Sequence, residues 1–224
     1  MPLSDPVHGQ NEQKMIISPK RRFAFVHIPK TGGTSFAVAY EERAAADDIL
    51  IGDTPKARRR RGRLRALSVP GRLWKHSRLS DVGDLVPPDM FVCTLVRNPW
   101  DRVVSYYHWL REQTFAHPAV DRARALGFGD FLRDPVIQHA VRTHPAVRFV
   151  TRENGTMQCN AFVRLEHPED FAPVWDHLGF RLTIPHVNAS KRNRNWRFYY
   201  DDKGIEIVAD LAAEDIIRFG YHPE

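Results

Sequence analysis

The chain has 224 residues, 42% hydrophobic and 27% charged, which is enough for one domain with its own core and too balanced for a fibre or a disordered segment. Lys and Arg outnumber Asp and Glu by 33 to 27, and the pI is about 9.5; the surplus favours an anionic partner, whether nucleotide, nucleic acid or acidic glycan. Two cysteines, Cys93 and Cys159, both in apolar surroundings, read as buried thiols or a single disulfide, which excludes a disulfide framework and a cysteine-based zinc site, and no HExxH pattern supports another metal centre.

The opening residues, MPLSDPVHGQNEQK, lack the apolar centre of a signal peptide, and no run approaches the roughly 18 apolar residues of a membrane span. A cytoplasmic protein without a membrane span is the expectation. Residues 1–20 are polar and proline-containing and read as a flexible N-terminal arm, with one domain over 21–224. Phe23–Ile28 is an apolar run of strand length. Pro29-Lys30-Thr31-Gly32-Gly33-Thr34-Ser35 follows, and then Phe36, Ala39, Tyr40 and Arg43 fall at helical spacing. The order is strand, glycine loop, helix.

From Ile51 to Gly71 the text is basic. Lys56, Arg58, Arg59, Arg60, Arg61, Arg63 and Arg65 crowd a segment with little apolar periodicity, read as an exposed loop or a frayed basic helix. A second apolar strand, Met90–Val96, runs into Arg97-Asn98-Pro99-Trp100 and a helix. Asn98 is its N-cap and Pro99 its first residue. On that helix Val103, Tyr107 and Leu110 share one face, with Arg102, Ser105 and Trp109 nearly opposite. A strand is expected around Phe162–Leu165 and a helix over Glu169–Leu178 with Gly179 as C-cap. A final helix carries Val208, Leu211, Ala212, Ile216 and Phe219 on one stripe. Strands alternating with helices predict an α/β domain with a central, mainly parallel sheet flanked by helices.

Two segments carry chemistry. In Pro29–Ser35 two glycines let backbone N–H groups approach an anion, the helix start adds partial positive charge, Thr34 and Ser35 supply hydroxyls, and Lys30 supplies a point charge. The lysine precedes the glycines, so this is not the GxxxxGK[ST] pattern of a nucleotide kinase. In the second segment Arg97 stands at a strand's carboxyl end, where ligands of open α/β sheets collect, and Ser105 lies inside the following helix. Taken together, two strand-loop-helix units with cations and hydroxyls predict a ligand with two separate anionic groups.

HIPKTGGTSF (His27–Phe36) resembles the 5′-phosphosulfate loop of the sulfotransferases that use 3′-phosphoadenylyl sulfate (PAPS), and RNPWDRVVSYY (Arg97–Tyr107) resembles their 3′-phosphate motif. The wording is most similar to the carbohydrate branch, with heparan 2-O- and chondroitin sulfotransferases and bacterial relatives. Weaker similarity runs through Arg164–His167, Pro185–Ser190 and Asp215–Tyr221. The resemblance implies a P-loop-like fold, PAPS as donor and adenosine 3′,5′-bisphosphate (PAP) as product, with no metal. It assigns Lys30, Thr31, Gly32, Gly33, Thr34 and Ser35 to the phosphosulfate, Arg97 and Ser105 to the 3′-phosphate, and Ser190, Lys191 and Arg192 to a loop over the nucleotide. Lys30 would steady the leaving group.

The acceptor hydroxyl needs a general base. His76, between the two motifs, is the choice because histidine titrates in the useful range; Glu41 or Glu42 is the fallback. His27 reads as structural. The implied acceptor is a carbohydrate or other hydroxylated molecule. For the Arg58–Arg65 cluster the first reading is solvated surface and the second a dock for a polyanionic acceptor; no nucleic-acid-binding signature accompanies it. Trp74, Trp100, Trp109 and Trp196 would stack on sugar rings or, more commonly for tryptophan, be buried.

Overall fold

The computed structural model describes residues 14–71, 73, 77–185 and 192–223. They form two compact units, one of residues 14–97 and 146–185 and the other of 98–145 and 192–223.

In chain order the elements are β1 (Lys14–Ser18), β2 (Phe23–Val26), α1 (Gly33–Arg43), β3 (Ile49–Gly52), α2 (Pro55–Arg60), a 3-10 turn (Arg61–Ala66), α3 (Leu79–Val82) and β4 (Phe91–Val96). There follow α4 (Pro99–Arg111), α5 (Pro118–Ala125), α6 (Phe128–Arg133), α7 (Pro135–Arg142), α8 (Ala146–Phe149), β5 (Ala161–Arg164) and α9 (Ala172–Leu178), then α10 (Asp202–Leu211) and α11 (Ala213–Phe219).

The first unit holds the sheet, in the order β3-β1-β2-β4-β5. β2, β4 and β5 are parallel neighbours, and β1 runs antiparallel to both β2 and β3. All strands but β1 therefore point the same way, and the carboxyl ends of β3, β2, β4 and β5 share one rim. β2 is buried along its whole length, with Phe23, Ala24, Phe25 and Val26 all 0% exposed. That is why it reads as a continuous apolar run rather than an alternating one. α1 packs Phe36, Ala37 and Tyr40 onto the sheet, and the Phe36 ring lies 4.4 Å from that of Phe25. The expected mainly parallel α/β sheet is thus formed.

Three readings of the sequence are corrected. The expected arm over 1–20 contains β1, whose Met15, Ile16 and Ile17 are buried in the sheet. Three apolar residues are too few to signal a strand; pairing on both sides decides it. β3 arises just before and within the segment read as basic loop. The basic stretch itself takes the helical one of its two readings, as α2 and a 3-10 turn, started by Thr54, whose hydroxyl accepts from the Ala57 N–H. The single final helix is two, broken at Ala212 with φ −114° and ψ 22°.

The second unit is helical. Asn98 caps α4 by accepting from the Asp101 N–H at 3.2 Å, with Pro99 next, as the sequence predicts. Trp100 and Val103 pack with Leu132 and Val208, while Tyr107 and Leu110 pack with Val120, Phe131 and Ile137. Ser105 and Trp109, nearly opposite that face, are buried too, so α4 is covered nearly all round.

Candidate anion-binding site

The glycine loop leaves the carboxyl end of β2. Val26 is level with Thr94 of β4, whose hydroxyl donates to the Val26 carbonyl at 2.7 Å. The loop after β2 and Arg97 after β4 therefore emerge side by side. Arg97 Nη1 donates to the Lys30 carbonyl at 3.2 Å. The leading residues of the two motifs, far apart in the chain, meet at one rim of the sheet.

The loop's shape follows from its residues. Lys30 takes a left-handed backbone, φ 68°, and Gly32 does so at φ 84°. For a lysine this costs of order 1 kcal/mol, and such outliers gather where a site is preorganised. Thr31 is buried and its hydroxyl donates to the Ile28 carbonyl at 2.8 Å. Its hydroxyl thus closes the turn. A side chain on Gly32 would meet Leu165 Cδ1 at 2.8 Å, and one on Gly33 would meet His27 Cδ2 at 1.9 Å. His27, 2% exposed, is the loop's floor, as a structural reading of that histidine expects. Leu165, which continues β5 with its N–H donating to the Val96 carbonyl at 2.8 Å, forms a wall. Neither packing role was legible beforehand, because the partners lie in other strands.

Gly32 precedes α1 and accepts from the Ser35 N–H at 3.0 Å. Thr34 and Ser35 stand half-buried in the first helical turn, where the partial positive charge of the helix start favours a negative group. Lys30 and Arg97 are half-buried beside them. Two cations, a helix start and a glycine cradle in which a Cβ would collide suit a phosphate- or sulfate-bearing ligand.

In the second unit Arg192 is held by an ion pair with Asp101, in the first turn of α4, and its side chain is 6% exposed. Asp101 is one helical turn before Ser105. No acid was singled out there, although an Asp three residues past an N-cap Asn is a usual helix-start signal. His108, one turn beyond Ser105, has a buried Nε2 with no hydrogen-bond partner among the described residues. Burial, and then the charges of Arg192 and Arg111, pull its pKa below the ordinary histidine value.

Of the remaining candidates, His76, Ser190, Lys191 and Trp74 lie outside the described residues. Glu41 is buried and its carboxylate accepts from the Thr54 hydroxyl, from the Lys56 N–H at 3.2 Å and from the Ala57 N–H at 3.1 Å. It anchors α2, which accounts for it without acid–base chemistry; Glu42 is exposed. Trp100 is 0% exposed and stacks on Trp196 with ring centroids 5.7 Å apart, and Trp109 is 8% exposed. Trp100 and Trp109 are core residues, the commoner reading for tryptophan, and Trp196 is half-buried against that core.

No protein-family model matches the chain, and no curated protein matches it. A solved structure of a mouse sulfotransferase, SULT7A1, complexed with PAP, is similar at a TM-score of 0.42 and 15% sequence identity, covering 87% of this chain and 82% of that one.

Proposed function

We propose that this chain is a sulfotransferase that moves a sulfuryl group from PAPS to a hydroxyl of a carbohydrate or similar hydroxylated acceptor. The observation that carries the reading is the bond from Arg97 to the Lys30 carbonyl. It couples the segment that resembles a 3′-phosphate motif to the loop that resembles a phosphosulfate loop. The strained Lys30 backbone and the tight Gly33 cradle support it.

In this reading the 5′-phosphosulfate lies on the loop, among the N–H groups of the α1 start and the hydroxyls of Thr34 and Ser35. Arg97 holds the 3′-phosphate, and Ser105 is assigned to the same phosphate by resemblance. The acceptor oxygen attacks sulfur in line, forming the new S–O bond as the S–O bond to the 5′-phosphate breaks. The acceptor proton goes to the base, for which His76 is the candidate. Lys30 neutralises the charge that develops on the departing phosphate oxygen. Positioning and charge stabilisation carry most of such a transfer.

Calorimetric titration with PAP, and with ATP for comparison, tests the donor site. Micromolar PAP binding, much weaker ATP binding, and losses of at least about tenfold in Lys30→Ala, Arg97→Ala and Ser105→Ala are expected. A preference for magnesium-ATP would instead favour a kinase and overturn the reading.

A further inference from the structure

The donor reading leaves one buried polar group of the second unit without a role. We infer that His108 is a further ligand of the donor's 3′-phosphate, taking up a proton as the phosphate docks beside Ser105, so that donor binding tightens as pH falls. The inference rests on the transferase reading, which assigns that phosphate to Ser105.

The placement follows from α4. Asp101, Ser105 and His108 are spaced i, i+4 and i+7 along it and form one stripe. Helical side chains lean towards the amino end, so the imidazole of His108 is carried back over the turn that holds Ser105, itself 5% exposed. Tyr107 and Tyr199 meet the ring edge-on, with centroids 5.3 and 5.1 Å away. The Tyr199 hydroxyl in turn accepts from the Asn193 N–H at 3.0 Å. The imidazole is thus held from two sides, yet its buried Nε2 has no hydrogen-bond partner among the described residues. Buried polar atoms are nearly always paired, because an unmade bond costs stability, so an orphan calls for an explanation. A phosphate oxygen on the Ser105 turn would supply the missing partner.

The charges around the ring set its protonation. Arg192 is fastened to Asp101 at the amino end of the stripe. Its charge bears on His108 more strongly than that of Arg111, which is one turn away on the same helix, so the guanidinium lies close to the ring. Burial first, and then these two cations, hold the imidazole below the ordinary histidine value, while Glu112 acts weakly the other way. A phosphate dianion beside Ser105 reverses that balance: an opposite charge within about 4–6 Å favours the charged form by about tenfold or more. The imidazolium takes its proton from solvent and donates it from Nε2 to a phosphate oxygen, a charge-assisted bond. No covalent bond of the ligand changes.

PAP is the probe, titrated calorimetrically between pH 6 and pH 8 in buffers of different ionisation heat, which reads proton uptake as well as affinity. His108→Gln keeps a neutral donor and removes the titration; His139→Gln, at an exposed position of α7, is the control. At pH 8 His108→Gln should bind PAP within about threefold of the unaltered protein; at pH 6 it should bind about tenfold more weakly, and at pH 6.5 take up about half a proton less. The phosphate's own second ionisation, at about pH 6, is common to all the proteins and cancels in the comparison. Equal proton uptake with parallel affinity profiles would overturn the inference. So would a loss of the same size at every pH, which marks a ring that only fills space, or a matching loss in His139→Gln. If His108→Gln does not fold, His108→Asn takes its place in the same titrations. Failure of the unaltered protein to bind PAP at any pH would overturn the donor reading itself, a result distinct from PAP binding that ignores His108.

Discussion

Replacing Gly33 by Ala isolates the packing on which the loop depends. Gly33 opens α1 with an ordinary helical backbone, so the substitution carries no conformational penalty of its own. The new methyl, however, would stand 1.9 Å from His27 Cδ2, whereas carbon atoms rest at about 3.5 Å, so one of the two must move by about 1.6 Å. His27 is 2% exposed and flanked by the sheet, and overpacking of this kind costs about 1–3 kcal/mol. For a chain of this size 1 kcal/mol corresponds to roughly 2–4 °C in Tm, so thermal unfolding followed by circular dichroism should shift down by about 2–12 °C. The displaced loop should also bind PAP at least about tenfold more weakly. The assay has an internal control in the cycle with His27→Ala, which removes the ring: the double variant should be no less stable than His27→Ala alone. An unchanged Tm in Gly33→Ala, or full additivity in the double variant, would refute the reasoning.

Three further outcomes follow from the geometry. Glu41→Ala removes the carboxylate that accepts from Thr54, Lys56 and Ala57, and should cost about 1–3 kcal/mol in urea unfolding; unaltered transfer activity at matched folded fraction, with an unaltered pH profile, would show an anchor, and a lost acid-side limb would show a base. Burial pushes the Cys159 thiol up to about 12 and Cys93 well above its ordinary value, so iodoacetamide at pH 8 should leave both unmodified in the native protein and alkylate both in guanidinium, with native alkylation within minutes as the contrary result. For His108, whose pKa is lowered by burial and then by Arg192 and Arg111, the unfolded chain takes up the proton first as pH falls through about 6.5, so stability declines from there towards the lowered folded value. His108→Gln should flatten that part of the Tm–pH curve, and an unchanged slope would show that another group titrates.

The site was legible in the sequence to the extent that its chemistry is local. A strand's carboxyl end, two glycines, a lysine and a helix start are adjacent in the chain, and so are Arg97, its N-cap asparagine and the first turn of α4; short-range backbone geometry alone places them. β2 and β4 were readable because a strand buried on both faces shows as one apolar run. β1 was not, because Met15, Ile16 and Ile17 become a strand only by bonding to β2 on one side and β3 on the other.

The tertiary structure alone decided what the loop rests on and which groups are already committed. That Gly33 must be glycine follows from His27, and the turn at Gly32 from Leu165, which arrives from β5. Glu41 looked available as a fallback base and proves bound to α2; the basic segment read first as solvated surface, yet Arg60 and Arg63 are anchored while Arg58, Arg59 and Arg65 are left exposed. Residue type and spacing determine what a side chain is able to do, but whether its hydrogen-bonding capacity is still open depends on chain segments brought near by long-range pairing, and no local pattern encodes those.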